Sequence, residues 1–193
     1  MKQKFLHKLN KRQGFSLTEM LATVLIMGFV GIIITTGAAT VQRVYRKVVA
    51  HANAQTALTT TITLMKDQLA FADPESIGNG SETGTGFGNS QTIVFRNLNS
   101  GEQTITLNPG TANRGFTLTY TAVDGTGTAS TTTLPLLSDS AITSDLCVCF
   151  DTNGGFTWDP ATQVITVTKL VAKDTRTDTV QARASFKVLL VNG

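Results

Sequence analysis

Charge is scarce in this chain: only 15% of its 193 residues are Asp, Glu, Lys or Arg, against 41% apolar. So apolar a composition excludes a disordered tail, because there is enough hydrophobic surface to fold around. The formal charge of +3 does not signal a nucleic-acid partner either. Five of the 16 bases (Lys2, Lys4, Lys8, Lys11, Arg12) lie in the first 14 positions, which hold no acid, leaving 11 bases against 13 acids in the rest. The bulk of the chain is slightly acidic and offers no basic patch to phosphates. Cysteine is equally sparse: Cys147 and Cys149 flank one residue. A bridge between them closes a tiny loop and constrains the unfolded chain little, which excludes a disulfide framework. Beyond the first 14 residues the only histidine is His51, in a run of Ala, Asn and Gln. A base beside a nucleophile is the minimum for covalent catalysis, so no triad, enzyme activity or cofactor is expected.

Length accommodates one domain plus an appendage. Residues 20 to 42 (MLATVLIMGFVGIIITTGAATVQ) contain no charge. At about 1.5 Å per helical residue they reach roughly 34 Å, enough to cross a hydrocarbon core. Five bases precede this span and Arg43, Arg46 and Lys47 follow it. That asymmetry predicts a single pass through the cytoplasmic membrane, with the N-terminus inside and the remainder outside. Beyond Arg43 the helix turns amphipathic, with Val41, Val44, Val48, Ala52, Leu58, Ile62, Met65 and Leu69 at steps compatible with one face. It should stop near Asp73, because Pro74 disfavours helical geometry just before it and the stretch Ser76 to Ser90 is rich in Gly, Ser, Thr and Asn. One helix of about 55 residues results, roughly 80 Å long, and half of it must be buried in something other than its own core.

From Gln91 the pattern changes to short β segments at 91–98, 103–107, 116–121, 129–136, 144–150, 163–171 and 182–191. Turn chemistry separates them at Asn99-Ser100-Gly101, Asn108-Pro109-Gly110, Asp124-Gly125 and Asn153-Gly154-Gly155. Thr, Gly and Asn enrichment suits an exported β-rich domain. The predicted class is α+β: a long N-terminal helix, transmembrane half followed by amphipathic half, packed on an antiparallel β-sheet. Residues 44–72 are the lid for that sheet's apolar face.

At the junction of basic segment and span the sequence reads Lys11-Arg12-Gln13-Gly14-Phe15-Ser16-Leu17-Thr18-Glu19-Met20-Leu21. This resembles the processing site of type IV prepilins and type II secretion pseudopilins, over about the first 30 residues. The resemblance implies that a membrane prepilin peptidase cuts between Gly14 and Phe15 and methylates the new amine on Phe15. It implies a pilin-like architecture and four segments: a leader 1–14, an assembly helix 15–42, an amphipathic helix 43–73 and a β-rich extracytoplasmic domain 74–193. The implied partners are other pilin or pseudopilin subunits, an assembly platform with its ATPase, and membrane lipid. The implied destination is a cell-surface or envelope filament. Met20, Leu21, Leu25, Ile26, Phe29, Ile32 and Ile33 would form the membrane and packing surface. Many relatives carry a proline in this helix and this chain has none, so any local melting during assembly would use Gly28, Gly31 or Gly37.

Glu19 is the informative residue, since a carboxylate at the mouth of a span costs on the order of 2 to 3 kcal/mol unless paired. In the family, the Glu of one subunit neutralises the new amine of its neighbour and sets axial register; Glu19 and Phe15 carry that role here by resemblance. A plainer reading is a capping box, Ser16-Leu17-Thr18-Glu19, in which Glu19 satisfies a backbone N–H. Two competitors concern processing: a secretory signal cut after Ala39, and an uncut anchor bearing an extracellular binding module. Three further signals have bland explanations. Asp145, Cys147, Cys149 and Asp151 alternate along one strand, too extended to converge on one metal ion. Asp151-Thr152-Asn153-Gly154-Gly155 with Asp159 faintly resembles a calcium loop but lacks its terminal Glu. Phe156 and Trp158 fit either an adhesive tip or packing at the edge of the core.

Overall fold

The computed structural model describes residues 16–80, 83–97, 103–109, 115–138 and 145–191. The chain divides into two compact units, Met1–Lys47 and Val48–Gly193. A single helix, α1 (Leu17–Ala70, 54 residues), begins in the first and ends in the second. Among the described residues eight strands follow: β1 (Phe87–Ser90), β2 (Ile93–Arg96), β3 (Thr104–Pro109), β4 (Phe116–Val123), β5 (Ala129–Pro135), β6 (Leu146–Asp159), β7 (Val164–Asp174) and β8 (Val180–Leu189). The class is α+β, as the periodicity predicts.

The expected single sheet is in fact two four-stranded antiparallel sheets, ordered β1-β6-β7-β8 and β2-β3-β4-β5. Phe116 of β4 meets Phe150 of β6 edge to face, ring centroids 5.0 Å apart, and Phe150 meets Phe156 in the same way at 5.1 Å. Such contacts between aromatic edges and faces join the sheets through a common core. Alternation does the rest. Ile105, Leu107, Phe116 and Leu118 turn inward from β3 and β4, whereas Thr104, Thr106, Thr117 and Thr119 take the other face. Cross-strand register sets Thr104, Thr121 and Thr131 in one row and Thr106, Thr119 and Thr133 in the next.

Helix α1 covers this core with Ala54, Ala57, Leu58, Thr61, Met65 and Leu69, a stripe at steps of three and four. Thr61 is buried without penalty because its hydroxyl donates to the Ala57 carbonyl at 2.8 Å. The stripe starts later than its predicted beginning: Val41, Val44 and Val48 are 68%, 55% and 60% exposed, and Ala52 is exposed too. Periodicity identifies a face of a helix and does not say where along its length a partner begins.

The helix end is tied down by polar contacts. Asp73 accepts from the Glu75 N–H at 3.2 Å, capping a single 3-10 turn over Pro74–Ser76, and its other oxygen binds the Arg96 guanidinium at 2.7 Å. Gly78 then exchanges two 2.8 Å backbone hydrogen bonds with Val94, adding a rung to the outer edge of β2. Buried Asn97 donates to the Gln68 carbonyl at 3.3 Å, satisfying one of the orphan acceptors of the last helical turn.

Two predicted boundaries fail for the same physical reason. Asn153-Gly154-Gly155 is not a hairpin turn: β6 runs through it, pairing with β7 on both sides at Phe150↔Leu170 and Gly155↔Thr168. Four residues of β6 lie between those pairs against Lys169 alone, a large bulge in which Asn153 (φ 58) and Lys169 (φ 52) are left-handed. The glycines serve close approach, since a Cβ on Gly155 would lie 2.6 Å from the Ser90 carbonyl oxygen and one on Gly154 would lie 2.9 Å from that of Thr168. Ser90 belongs to β1, a strand inside the stretch expected to be loop, and it takes its place by pairing with β6. Chemistry that permits a turn also permits a bulge. The Asp124-Gly125 turn does join β4 to β5: Asp124 Oδ1 accepts from Thr126 N–H at 2.9 Å and Thr128 N–H at 2.8 Å. Asn99-Ser100-Gly101 and Gly110 lie outside the described residues.

Candidate functional site

Helix α1 begins where local chemistry dictates. Ser16 is non-helical, its carbonyl accepts the Met20 N–H at 3.1 Å, and its own N–H donates to Glu19 Oε2 at 3.3 Å. Glu19 thus supplies the return arm of a capping box, and its carboxylate complements the positive end of the helix dipole. Ser16 Oγ turns to Thr18 Oγ1 at 2.7 Å instead of to the Glu19 N–H.

Past that turn the helix is apolar on every side. Met20 and Leu21 are 64% and 63% exposed, and Leu25, Ile26, Phe29, Ile32 and Ile33 are all more than half exposed. Fully burying side chains of this size is worth roughly 1.5–3 kcal/mol each, and with about three-fifths of each exposed these seven leave on the order of 6–13 kcal/mol unrealised in water. That is comparable with the whole stability of a domain. Large exposed apolar surfaces generally mark interaction sites, and this helix is long and apolar enough to cross a membrane.

The polar groups within it are already neutralised. Thr23, Thr35, Thr36 and Thr40 donate their hydroxyls to carbonyls one turn back, at 2.8–3.0 Å for the shortest of each. A hydroxyl so engaged enters hydrocarbon without an unmade hydrogen bond. Gly28, Gly31 and Gly37 have open space where a Cβ would stand. Arg43, Arg46 and Lys47 form no ion pair among the described residues. Gly14 and Phe15, the expected processing site, lie outside the described residues.

The remaining candidates resolve differently. Phe156 and Trp158 are 0% and 2% exposed, which overturns the adhesive-tip reading. Among the described residues Trp158 Nε1 has no hydrogen-bond partner. Asp145 and Asp151 pair with Arg176 at 2.6 Å and with Arg183 at 3.7 Å, so these carboxylates are oriented toward β8 and the turn before it, not toward a common ion. Asp159 accepts from Ala161 N–H and Thr162 Oγ1 at 3.1 and 2.7 Å; these bonds cap the β6–β7 turn and hold its carboxyl below the ordinary range. His51 lies exposed beside Gln55, ring to amide 3.0 Å, at the rim of an open groove of about 640 Å³ between α1 and Val180–Ala184 of β8.

The capping bond of Glu19 was legible in the motif; the close approach of Gly155 to Ser90 was not, because it joins residues far apart in the chain. Comparison with known protein families, with curated proteins and with solved structures finds no match.

Proposed function

We propose that this chain is a type IV pilin-like structural subunit, whether pilin, minor pilin or pseudopilin, that is stored in the cytoplasmic membrane and drawn into a filament. The observation that carries the reading is a helix apolar and exposed around its whole circumference at one end, continuous with a stripe buried under two antiparallel sheets at the other. A lipid bilayer and a bundle of like helices are two environments that bury such a circumference, and a filament subunit visits them in turn.

In this reading prepilin peptidase removes residues 1–14, and the cleavage converts an amide at Phe15 into a charged, methylated amine. Glu19 then exchanges its bond to the Ser16 N–H for an ion pair with the amine of a neighbouring subunit. The exchange is favourable inside a water-poor bundle, where an unpaired charge is heavily penalised. An uncleaved precursor has no amine there, and so is not competent to assemble. Gly28, Gly31 and Gly37, open in the single chain, are positions where neighbouring helices can approach closely.

One observation favours a second reading. Glu19 already has a local partner in Ser16, so a plain signal anchor carrying an extracellular binding module explains the acid without a neighbour. Mass spectrometry of the N-terminus of the purified protein separates the two. A chain beginning with methylated Phe15 supports the filament subunit; a chain retaining Met1 through Gly14 refutes it.

A further inference from the structure

Neither the apolar helix nor the proposed assembly uses Cys147 and Cys149, both free thiols on β6. They occupy alternate positions of one strand, so their side chains leave the same face. Cys147 is buried and Cys149 half-buried, and both are free thiols. Lys173 sits directly across from Cys147 on β7, its ammonium paired with Asp178 at 2.5 Å. Two thiols on one face of a strand, with an ammonium at the facing position of the paired strand, make a cluster suited to a thiolate. The contact with Cys149, helped by Gly115 and the charge of Lys173, holds the Cys147 thiol below its ordinary value, while the contact with Cys147 and burial push Cys149 up. A thiolate of this kind is the nucleophile in disulfide exchange, and the partner thiol beside it is the resolving group.

We propose that Cys147 and Cys149 form a thiol–disulfide exchange site that takes up a disulfide from an oxidant R–S–S–R and closes into an intrastrand bridge. The Cys147 thiolate attacks one sulfur of R–S–S–R, forming Cys147–S–S–R and releasing R–S⁻. Cys149 gives its proton to that leaving thiolate and attacks the Cys147 sulfur, closing the Cys147–Cys149 bond and expelling the second R–S⁻. Two electrons pass from the protein thiols to the reagent, which leaves as one thiol and one thiolate.

Geometry makes the bridge an exchanging one and not a staple. Residues two apart in a strand have Cα atoms about 6.7 Å apart at the usual rise. That lies at the far edge of the roughly 4.4–6.8 Å range that disulfides tolerate, so closure draws the strand in and the bond opens readily to a thiol. Cys147 and Cys149 pair with Lys173 and Val171 of β7, and Phe150 of the interlocked Phe116, Phe150 and Phe156 rings directly follows Cys149. Closure therefore strains the packing between sheets.

The test uses the full-length protein in detergent, with glutathione disulfide as the probe. Wild-type protein is expected to lose the mass of two hydrogens and both alkylatable thiols, to retain no glutathione, and to recover both thiols in reduced glutathione. Cys149→Ser keeps a hydroxyl donor but no resolving thiol, and is expected to trap one glutathione on Cys147. Because the decisive readouts come from wild-type protein, poor folding of the variant does not spoil the test. Persistence of both thiols, a stable glutathione adduct on wild type, or a bridge that resists reduced glutathione would each overturn the proposal. None of these outcomes depends on whether the chain assembles into filaments.

Discussion

Glu19 has two possible partners, and one substitution separates them. Glu19→Gln preserves an oxygen that accepts the Ser16 N–H, now 3.3 Å from Glu19 Oε2, and removes the charge. Glu19→Val removes both. If capping were the whole role, Gln would behave as wild type, and Val would lose about 0.5–2 kcal/mol of local helix stability at a terminus that frays regardless. If the carboxylate pairs with a neighbour's amine inside a bundle, both variants leave a charge buried alone, and breaking such a pair costs roughly 3–5 kcal/mol. At about 1.4 kcal/mol per factor of ten, incorporation into filaments should fall by on the order of 100-fold or more for Gln and Val alike. The assay compares sheared filaments with the membrane fraction by quantitative mass spectrometry, and reads the N-terminus to show that cleavage still occurs. Filaments containing Glu19→Gln at wild-type levels would refute charge pairing and leave the cap as the sole function of the residue.

Other expectations are about stability. Gly155→Ala should destabilise the Val48–Gly193 unit by about 1–3 kcal/mol in urea melts, because its Cβ would meet the Ser90 backbone at 2.6 Å, whereas Gly28→Ala, with open space around it, should leave that unit unchanged. Met65→Ala, at a fully buried position, should cost about 2–5 kcal/mol, while Val48→Ala at 60% exposure should change the melt by less than about 0.5 kcal/mol. Asp124, Asp159 and Asp174 have carboxyls held below the ordinary value by hydrogen bonds within their turns. Their folded values lie below the unfolded one near about 4, so their stabilisation is present above that pH and lost as acid protonates the folded form. Thermal melts between neutral and acid pH should show that decline, and Asp124→Asn, which keeps an acceptor without a titrating group, should flatten part of it; an unchanged slope would contradict the assignment.

The parts of the fold legible in advance were those written in adjacent residues. The 54-residue helix, its start at Ser16-Leu17-Thr18-Glu19 and its end just before Asp73 and Pro74 follow from hydrophobic run, capping chemistry and a helix-breaking residue. Strands β3, β4, β7 and β8 announce themselves through alternation, β5 through its run of β-branched Thr, and the Asp124 turn through its side chain. Misreadings cluster where one local pattern has two outcomes. Asn153-Gly154-Gly155 reads as a turn until a neighbouring strand is present for the glycines to touch, and Phe87–Ser90 reads as loop until β6 pairs with it.

The amino-acid order alone determined that one helix is long and apolar enough to cross a membrane, because the 23 residues from Met20 to Gln42 carry no charge. Tertiary structure alone decided that the strands separate into two sheets, that the helix is buried only from Ala54 onward, and that Lys173 comes to lie across from Cys147. The difference is physical. Transfer free energy, capping and turn preference are properties of neighbouring residues, whereas register, close approach and a thiol's acidity depend on which distant segment arrives beside them.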